Sequence, residues 1–236
     1  MNTAPNELLR DASVLVLDCD GVILDSNEAK IEAFSHTATE LGIAADVVDR
    51  FSTWQKGNFG TPRTVMFRKL VDGEFGPVSA SVRIEDLLDA YGAQCMALYE
   101  RVPETDGLRA FLDATDSIPR YVVSGSDQSE LRTVLRRRGL AHRFRGILGS
   151  PSGKSANMES ITAEWTRATG EPPTLGVVIG DAMADLTAAE AVGFSFIFLA
   201  RYSMVRDELQ QHCDERGIAS APTLESLTSP IGRTSQ

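Results

Sequence analysis

Four polar clusters in this chain carry residue types suited to work on a phosphate. They are Asp18 with Asp20 in VLVLDCDGVILD, Ser124 with Gly125 in YVVSGS, Lys154 in PSGKSAN, and Asp181 with Asp185 in VVIGDAMAD. Asp18 and Asp20 follow Val14 to Leu17, a short apolar run that reads as a buried strand of a parallel sheet. Strand side chains repeat every two residues, so both carboxylates leave the strand end on one side, and Gly21 lets the backbone turn there. Carboxylates so placed are unfavourable unless a cation or a proton compensates them. Two unit charges 4 Å apart interact by about 4 kcal/mol at an effective dielectric near 20. Mg2+, which takes oxygen ligands, would remove most of that penalty for Asp18, Asp20, Asp181 and Asp185. Lys154 adds a compact positive charge suited to phosphate. Ser124 and the backbone amides of the Gly125 turn supply donors to phosphate oxygens.

These clusters need a scaffold that brings them together. Each falls at the carboxyl end of a predicted strand or in the loop leading on from it. Strands are expected at Val14 to Leu17, Tyr121 to Val123, Phe144 to Leu148, Leu175 to Ile179 and Phe194 to Leu199. Helical patterns lie between the later ones, at 128–138, 155–169 and 185–192. That alternation predicts an α/β fold, a doubly wound parallel sheet, with ligands in the crevice beyond the strand ends. Residues 27 to 102 break the pattern, being all helix and loop. Ile31, Phe34, Ala38 and Leu41 recur at helical spacing after a cap at Asp25 or Ser26. Further helices are expected at 44–55, 63–71 and 84–101. The expected organisation is a catalytic core of residues 1–25 plus 103–236 and a helical cap of residues 26–102 over the crevice. The loop QKGNFGTPR, Gln55 to Arg63, is the candidate substrate reader, with Lys56 or Arg63 binding a distal group. A polar helix is expected near 204–216 and a short piece near 224–227, with residues 229–236 loose.

The bulk properties narrow the partners. The chain has 236 residues and a formal net charge of -10, which disfavours nucleic acid and anionic membrane surfaces as general partners. Cys19, Cys95 and Cys213 are odd in number and show neither disulfide nor zinc spacing, which fits a reducing, cytoplasmic setting. Neither a signal-peptide core nor a run of about 20 apolar residues is visible. The basic run Arg136 to Arg138 reads as a solvated helix end, and His36, His142 and His212 form no ligand spacing.

With those residues in place, the chain resembles the haloacid dehalogenase superfamily, most nearly its branch of phosphoglycolate phosphatases and β-phosphoglucomutase-like enzymes. The four motifs match in order across nearly the whole chain: DCDGV at 18–22, the serine of VVSGS, the lysine of SGKSAN, and GDAMAD at 180–185. The resemblance implies a Rossmann-like core with an inserted helical cap. It implies Asp18 as the nucleophile that becomes an aspartyl-phosphate and Asp20 as general acid and then base. It implies Mg2+ held by Asp18, the backbone carbonyl of Asp20, and Asp181, with Asp185 adjacent or bound through water, and the phosphoryl group held by Ser124 and Lys154. A carboxylate at Asp20 favours phosphate esters over halides, which need no protonation. It also argues against a phosphonate-cleaving reaction, for which Lys56 would stand as the Schiff-base lysine. The expected activity is Mg2+-dependent hydrolysis of a small phosphorylated metabolite, of sugar phosphate or phosphoglycolate type, by a monomer or homodimer. A phosphomutase is the main alternative. Phosphonatase, dehalogenase and a non-catalytic phospho-receiver module follow.

Overall fold

The computed structural model describes residues 4–58 and 61–228. Six parallel strands form one sheet: β1 (Val14–Leu17), β2 (Arg120–Asp127), β3 (Gly146–Ser150), β4 (Gly176–Gly180), β5 (Ser195–Leu199) and β6 (Ala219–Ala221). Their spatial order is β3-β2-β1-β4-β5-β6, so β1 lies where the strand order reverses. In an open α/β sheet that reversal point opens a crevice at the carboxyl ends of the strands. Leu17 aligns with Val122 on one side and Ile179 on the other, which sets the ends of β1, β2 and β4 beside each other.

All four residues of β1 are fully buried, because both faces of the sheet are covered. Along the strands alternate residues enter opposite cores. Leu15, Leu17, Val122, Val177, Ile179 and Ile197 face one core. Val14, Val16, Val123, Val178, Phe196 and Phe198 face the other. The first core is covered by α1 (Pro5–Asp11), α6 (Leu108–Ala114) and α7 (Gln128–Arg137), through Leu9, Phe111 and Leu131 among others. The second is covered by α8 (Lys154–Thr169), α9 (Met183–Ala191) and α10 (Arg206–Arg216), through Ile161, Leu186 and Leu209.

Between Asp25 and Pro103 the described residues form four helices: α2 (Asn27–Glu40), α3 (Ala45–Gly57), α4 (Arg63–Val71) and α5 (Ile84–Tyr99). Their shared interior is aromatic. Phe34 lies 4.0 Å from Tyr91 and 5.0 Å from Phe67 between ring centroids, and Phe51 lies 5.4 Å from Phe75. The entry and exit of this helical insert run side by side. Leu24 bridges Glu104, the Asp25 amide donates to the Pro103 carbonyl at 3.0 Å, and the Thr105 amide donates to Ile23 at 3.1 Å.

Several elements depart from the sequence expectations for physical reasons. β2 runs on through Ser124, Gly125 and Ser126 to Asp127, because Asp127 regains register with Ser150 of β3 after a shift. α3 continues through Gly57, so the first three residues of the expected loop at 55–63 are helical; Phe59 and Gly60 of that loop lie outside the described residues. The expected cap of α2 also differs. Ser26 is the N-cap, yet its hydroxyl makes no capping bond and turns instead to Asp20. α1 and β6 were not expected from sequence. The arginine run is not simply solvated: Arg138 donates to the carbonyls of Tyr99 and Val102, and Arg137 pairs with Glu100 at 2.6 Å. A cation there satisfies the unpaired carbonyls at the C-terminal end of α5. The expected loose tail at 229–236 also lies outside the described residues. Among the described residues, no helix is long and apolar enough to cross a membrane.

Candidate active site

The carboxyl ends of β1, β2 and β4 meet the helical insert around a cavity of about 50 Å³. Asp18, Asp20, Ser124, Gly125, Ser126, Lys154 and Ala182 line it from the sheet side. Lys30, Phe34, Arg63, Met66, Tyr91 and Cys95 line it from the helical insert. Thus Asp18, Asp20, Ser124, Gly125, Lys154 and Arg63 come together as the sequence predicted, and Asp181 and Asp185 stand behind them. Lys56 does not join them. It lies exposed on α3, because that helix continues past the position where a loop was expected.

Asp18, Asp181 and Asp185 offer carboxylate oxygens that all lie within 4.8 Å of one another, and all three residues are buried. Lys154, the first residue of α8, places its Nζ 2.6 Å from Asp185 Oδ1 and 3.1 Å from Asp18 Oδ2. Two glycines permit this crowding. A Cβ on Gly180 would lie 2.3 Å from the Asp185 Cβ, and one on Gly21, at φ +78°, would lie 2.3 Å from Asp181 Oδ2. One lysine cannot compensate three buried carboxylates. Burial pushes Asp18 up to about 7, Lys154 opposing the shift and Asp185 and Asp20 adding to it. Burial, Asp18 and Asp185 likewise push Asp181 well above the usual carboxylate range. Lys154 is shifted upward because Asp18 and Asp185 outweigh its own desolvation.

The donor set fits a hard divalent cation. Asp18 Oδ1 and Asp181 Oδ1 are buried acceptors with no hydrogen-bond partner among the described residues, and both belong to the triad. Buried acceptors of this kind are rare unless an ion or a water completes them. The side chain of Asp20 is not part of this triad.

Asp20 occupies a different setting. Its Oδ1 accepts from Ser26 Oγ at 2.6 Å and Tyr99 Oη at 2.9 Å. Its Oδ2 accepts from Lys30 Nζ at 2.7 Å and Ser126 Oγ at 3.1 Å. Lys30 also donates to Ser126 Oγ at 2.5 Å. Burial alone would raise Asp20, but the Lys30 charge and the bonds from Lys30, Ser26 and Tyr99 outweigh it and hold the carboxyl below its usual range. Lys30 is raised in turn, Asp20 overcoming the effect of its burial. On the far side of the cavity Arg63 pairs with Glu130 of α7 at 2.8 Å and lies 5.5 Å from the Tyr91 ring centroid.

Sequence reasoning missed Lys30, Ser26, Tyr99, Ser126 and Asn27. A signal was present for two of them. Asn27 and Lys30 share a helical face with Ile31, Phe34 and Ala38, so two polar residues sit on the apolar stripe of α2. A lysine on such a face is rarely buried without a partner.

The doubly wound α/β sheet thus gathers buried carboxylates and a lysine at its switch point, where sheets of this kind bind ligands. Residues 12–193 match the haloacid dehalogenase-like hydrolases, and the chain belongs to that family. Similar solved structures include CbbY from Rhodobacter sphaeroides in complex with phosphate, at 18% identity and TM-score 0.71 over 92% of this chain and 96% of that one. A haloacid dehalogenase-like hydrolase from Streptococcus pneumoniae is similar at 20% identity and TM-score 0.66, over 91% and 95% of the two chains. A protein from Clostridium acetobutylicum described as a predicted phosphatase is similar at 16% identity and TM-score 0.70, over 92% and 96%. No curated protein matches the chain by sequence.

Proposed function

We propose that this hydrolase is a phosphatase that cleaves a small phosphorylated metabolite, of sugar phosphate or phosphoglycolate type, with Asp18 as nucleophile and Mg2+ as cofactor. The observation that carries the reading is the buried triad Asp18, Asp181 and Asp185 with two unpartnered oxygens, set against Lys154 at one cavity wall. Asp18, Asp181 and Asp185, with the backbone carbonyl of Asp20, would hold the cation. When bound it offsets the charge of the carboxylates and of the phosphate.

In the first step an Asp18 oxygen bonds to phosphorus and the bond from phosphorus to the leaving oxygen breaks, giving an aspartyl-phosphate. Lys154, Ser124 Oγ and the backbone amides near Gly125 hold the phosphoryl oxygens. Asp20 gives a proton to the leaving oxygen. In the second step Asp20 takes a proton from the water that attacks the aspartyl-phosphate, releasing inorganic phosphate and restoring Asp18. The free protein holds Asp20 as a carboxylate, the form needed for the second step. Its role in the first step therefore requires a proton taken up with the substrate, whose anionic phosphate favours the protonated acid.

A cavity of about 50 Å³ has room for a few waters but not for a sugar phosphate. Residues 26–102 accordingly act as a cap that swings open to admit substrate and closes to exclude water. Arg63 and Lys30 are the cap cations that meet the leaving group. The test is a panel of phosphorylated metabolites assayed for inorganic phosphate with Mg2+ and with chelator. Release that requires Mg2+ and Asp18 supports the reading. Isomerisation of a sugar phosphate without net phosphate release makes the enzyme a phosphomutase instead, and turnover in chelator refutes the cofactor.

A further inference from the structure

Asn27 is the first residue of α2, only 2% exposed, and it belongs to none of the four motifs. Its Nδ2 donates to Asp181 Oδ2 at 2.5 Å and to the Tyr202 carbonyl at 2.9 Å. The Tyr202 carbonyl can only accept, so the amide must present its NH2 to that side, and both of its hydrogens are then used. Asp181 is held from a second side as well, Ser203 Oγ donating to its backbone carbonyl at 2.5 Å. Asn27 thereby occupies one oxygen of Asp181 and leaves the other, Oδ1, unpartnered among the described residues. Gly21 contributes the space: a Cβ there would lie 2.5 Å from Asn27 Nδ2.

We propose that Asn27 is the positioning residue for the metal ligand Asp181, and that it makes cation binding and the seating of α2 depend on each other. The hydrogen bond turns Asp181 so that one oxygen is fixed by protein and the other is free to ligate. Partners that orient a metal ligand typically change metal affinity 10- to 100-fold, about the range expected here. Asn27 also sits at the start of the helical insert, bonded both to Asp181 and to the loop after β5. Movement of the first turn of α2 therefore loosens Asp181, and a cation that fixes Asp181 fixes that turn. Linkage requires the two effects to be equal and reciprocal.

The inference rests on the metal assignment above, and the experiment separates the two. Mg2+ alone is titrated calorimetrically into the full-length wild type, Asn27→Ala and Asn27→Leu, without substrate. Hydrogen exchange of the amides at 27–31 is followed with and without Mg2+. The expected result is affinity at least about tenfold weaker in both variants, with wild-type circular dichroism and a metal-free melting temperature lowered modestly by the two lost hydrogen bonds. Mg2+ should slow exchange at 27–31 in the wild type and not in the variants. Affinity within about twofold of wild type in either folded variant overturns the proposal. So does absence of Mg2+-dependent protection at 27–31 in a wild type that binds Mg2+, a result that stands even if both variants fail to fold. If the wild type binds no Mg2+, the metal assignment itself falls, and this inference with it.

Discussion

Asp18 and Asp20 stand two residues apart on the same strand end, yet the chain treats them in opposite ways. Asp18 shares one lysine with Asp185 beside a third buried carboxylate, keeps an unpartnered oxygen and is pushed up to about 7. Asp20 accepts four hydrogen bonds, one of them from a lysine of its own, and is held below the usual carboxylate range. Burial is nearly equal, at 5% and 4% exposure, so it does not explain the difference. The partners do. Asp18 faces other strand ends, which bring carboxylates. Asp20 faces α2 and α5 of the helical insert, which bring Lys30 and Tyr99. The frustrated half is prepared for an added cation, and the satisfied half already contains its own.

The contrast predicts distinct consequences when either half is altered. The largest belongs to Asp18. Asp18→Asn removes the proposed nucleophile with almost no change in volume, and phosphate release should fall by about 10⁴-fold or more. Melting temperature should hold or rise, since a buried, undercompensated charge is lost. Retained turnover in a phosphate-release assay would remove Asp18 from the mechanism.

Lys30→Met tests the satisfied half. Lys30 and Asp20 have side-chain exposures of 11% and 6%, so the substitution strands a buried carboxylate. The expected loss is about 3 kcal/mol of stability by denaturant unfolding. Adding Asp20→Asn to the same chain should restore much of it. If the double variant is as unstable as the single, the pair is not what holds this half together.

Acid–base behaviour should separate the halves next. Asp18 binds its proton more tightly in the fold, at about 7, than at the unfolded value of 3.8. The folded chain thus keeps a proton that the unfolded chain releases, and metal-free stability must fall as pH rises through that window. Asp20 has the opposite sign: its contribution is present above the unfolded value and is lost as pH falls through its lowered folded value. Thermal melts without metal should therefore decline from about pH 4 to about pH 7, the slope flattening in Asp18→Asn. Mg2+ should stabilise more at the upper end, where it no longer competes with protons. A flat metal-free profile would show that the triad is not strained.

The smallest effect is expected at the rim. Arg63 and Glu130 join α4 to α7 with side-chain exposures of 12% and 18%. Glu130→Gln should lower stability by only about 1 kcal/mol. It should alter KM more than kcat by freeing Arg63 toward the cavity. An unchanged KM would make the pair a strut with no part in substrate recognition.

The frustrated half was legible in the sequence and the satisfied half was not, for a physical reason. Asp18, Ser124, Lys154 and Asp181 each come after an apolar strand run, where it gives way abruptly to small and polar residues that mark the site. Lys30 and Tyr99 lie within helices, where a functional side chain looks like any other member of a periodic pattern, and their meeting with Asp20 depends on how the insert packs. β6 escaped for a related reason. Its three residues, Ala219 to Ala221, carry no strand signal of their own and are extended because β5 offers an edge to pair with. Arg63 could be read because it followed a proline at a helix start. Lys56 reads as a loop residue because Gly57 looks like a breaker, yet Gly57 is accommodated as the last residue of α3.

The paired entry and exit of the helical insert have one more consequence. Because Ile23 to Asp25 and Pro103 to Thr105 are hydrogen-bonded neighbours, everything between them leaves the sheet and returns to it at a single junction. The entropy of closing such a loop grows only with the logarithm of its length. The junction is therefore a graft point: helices beyond it can be lengthened, shortened or exchanged while β1 and β2 keep their alignment. Inherited variation beyond the first turn of α2 can thus remodel the part of the insert that supplies Arg63 without disturbing the half that supplies Asp18 and Lys154.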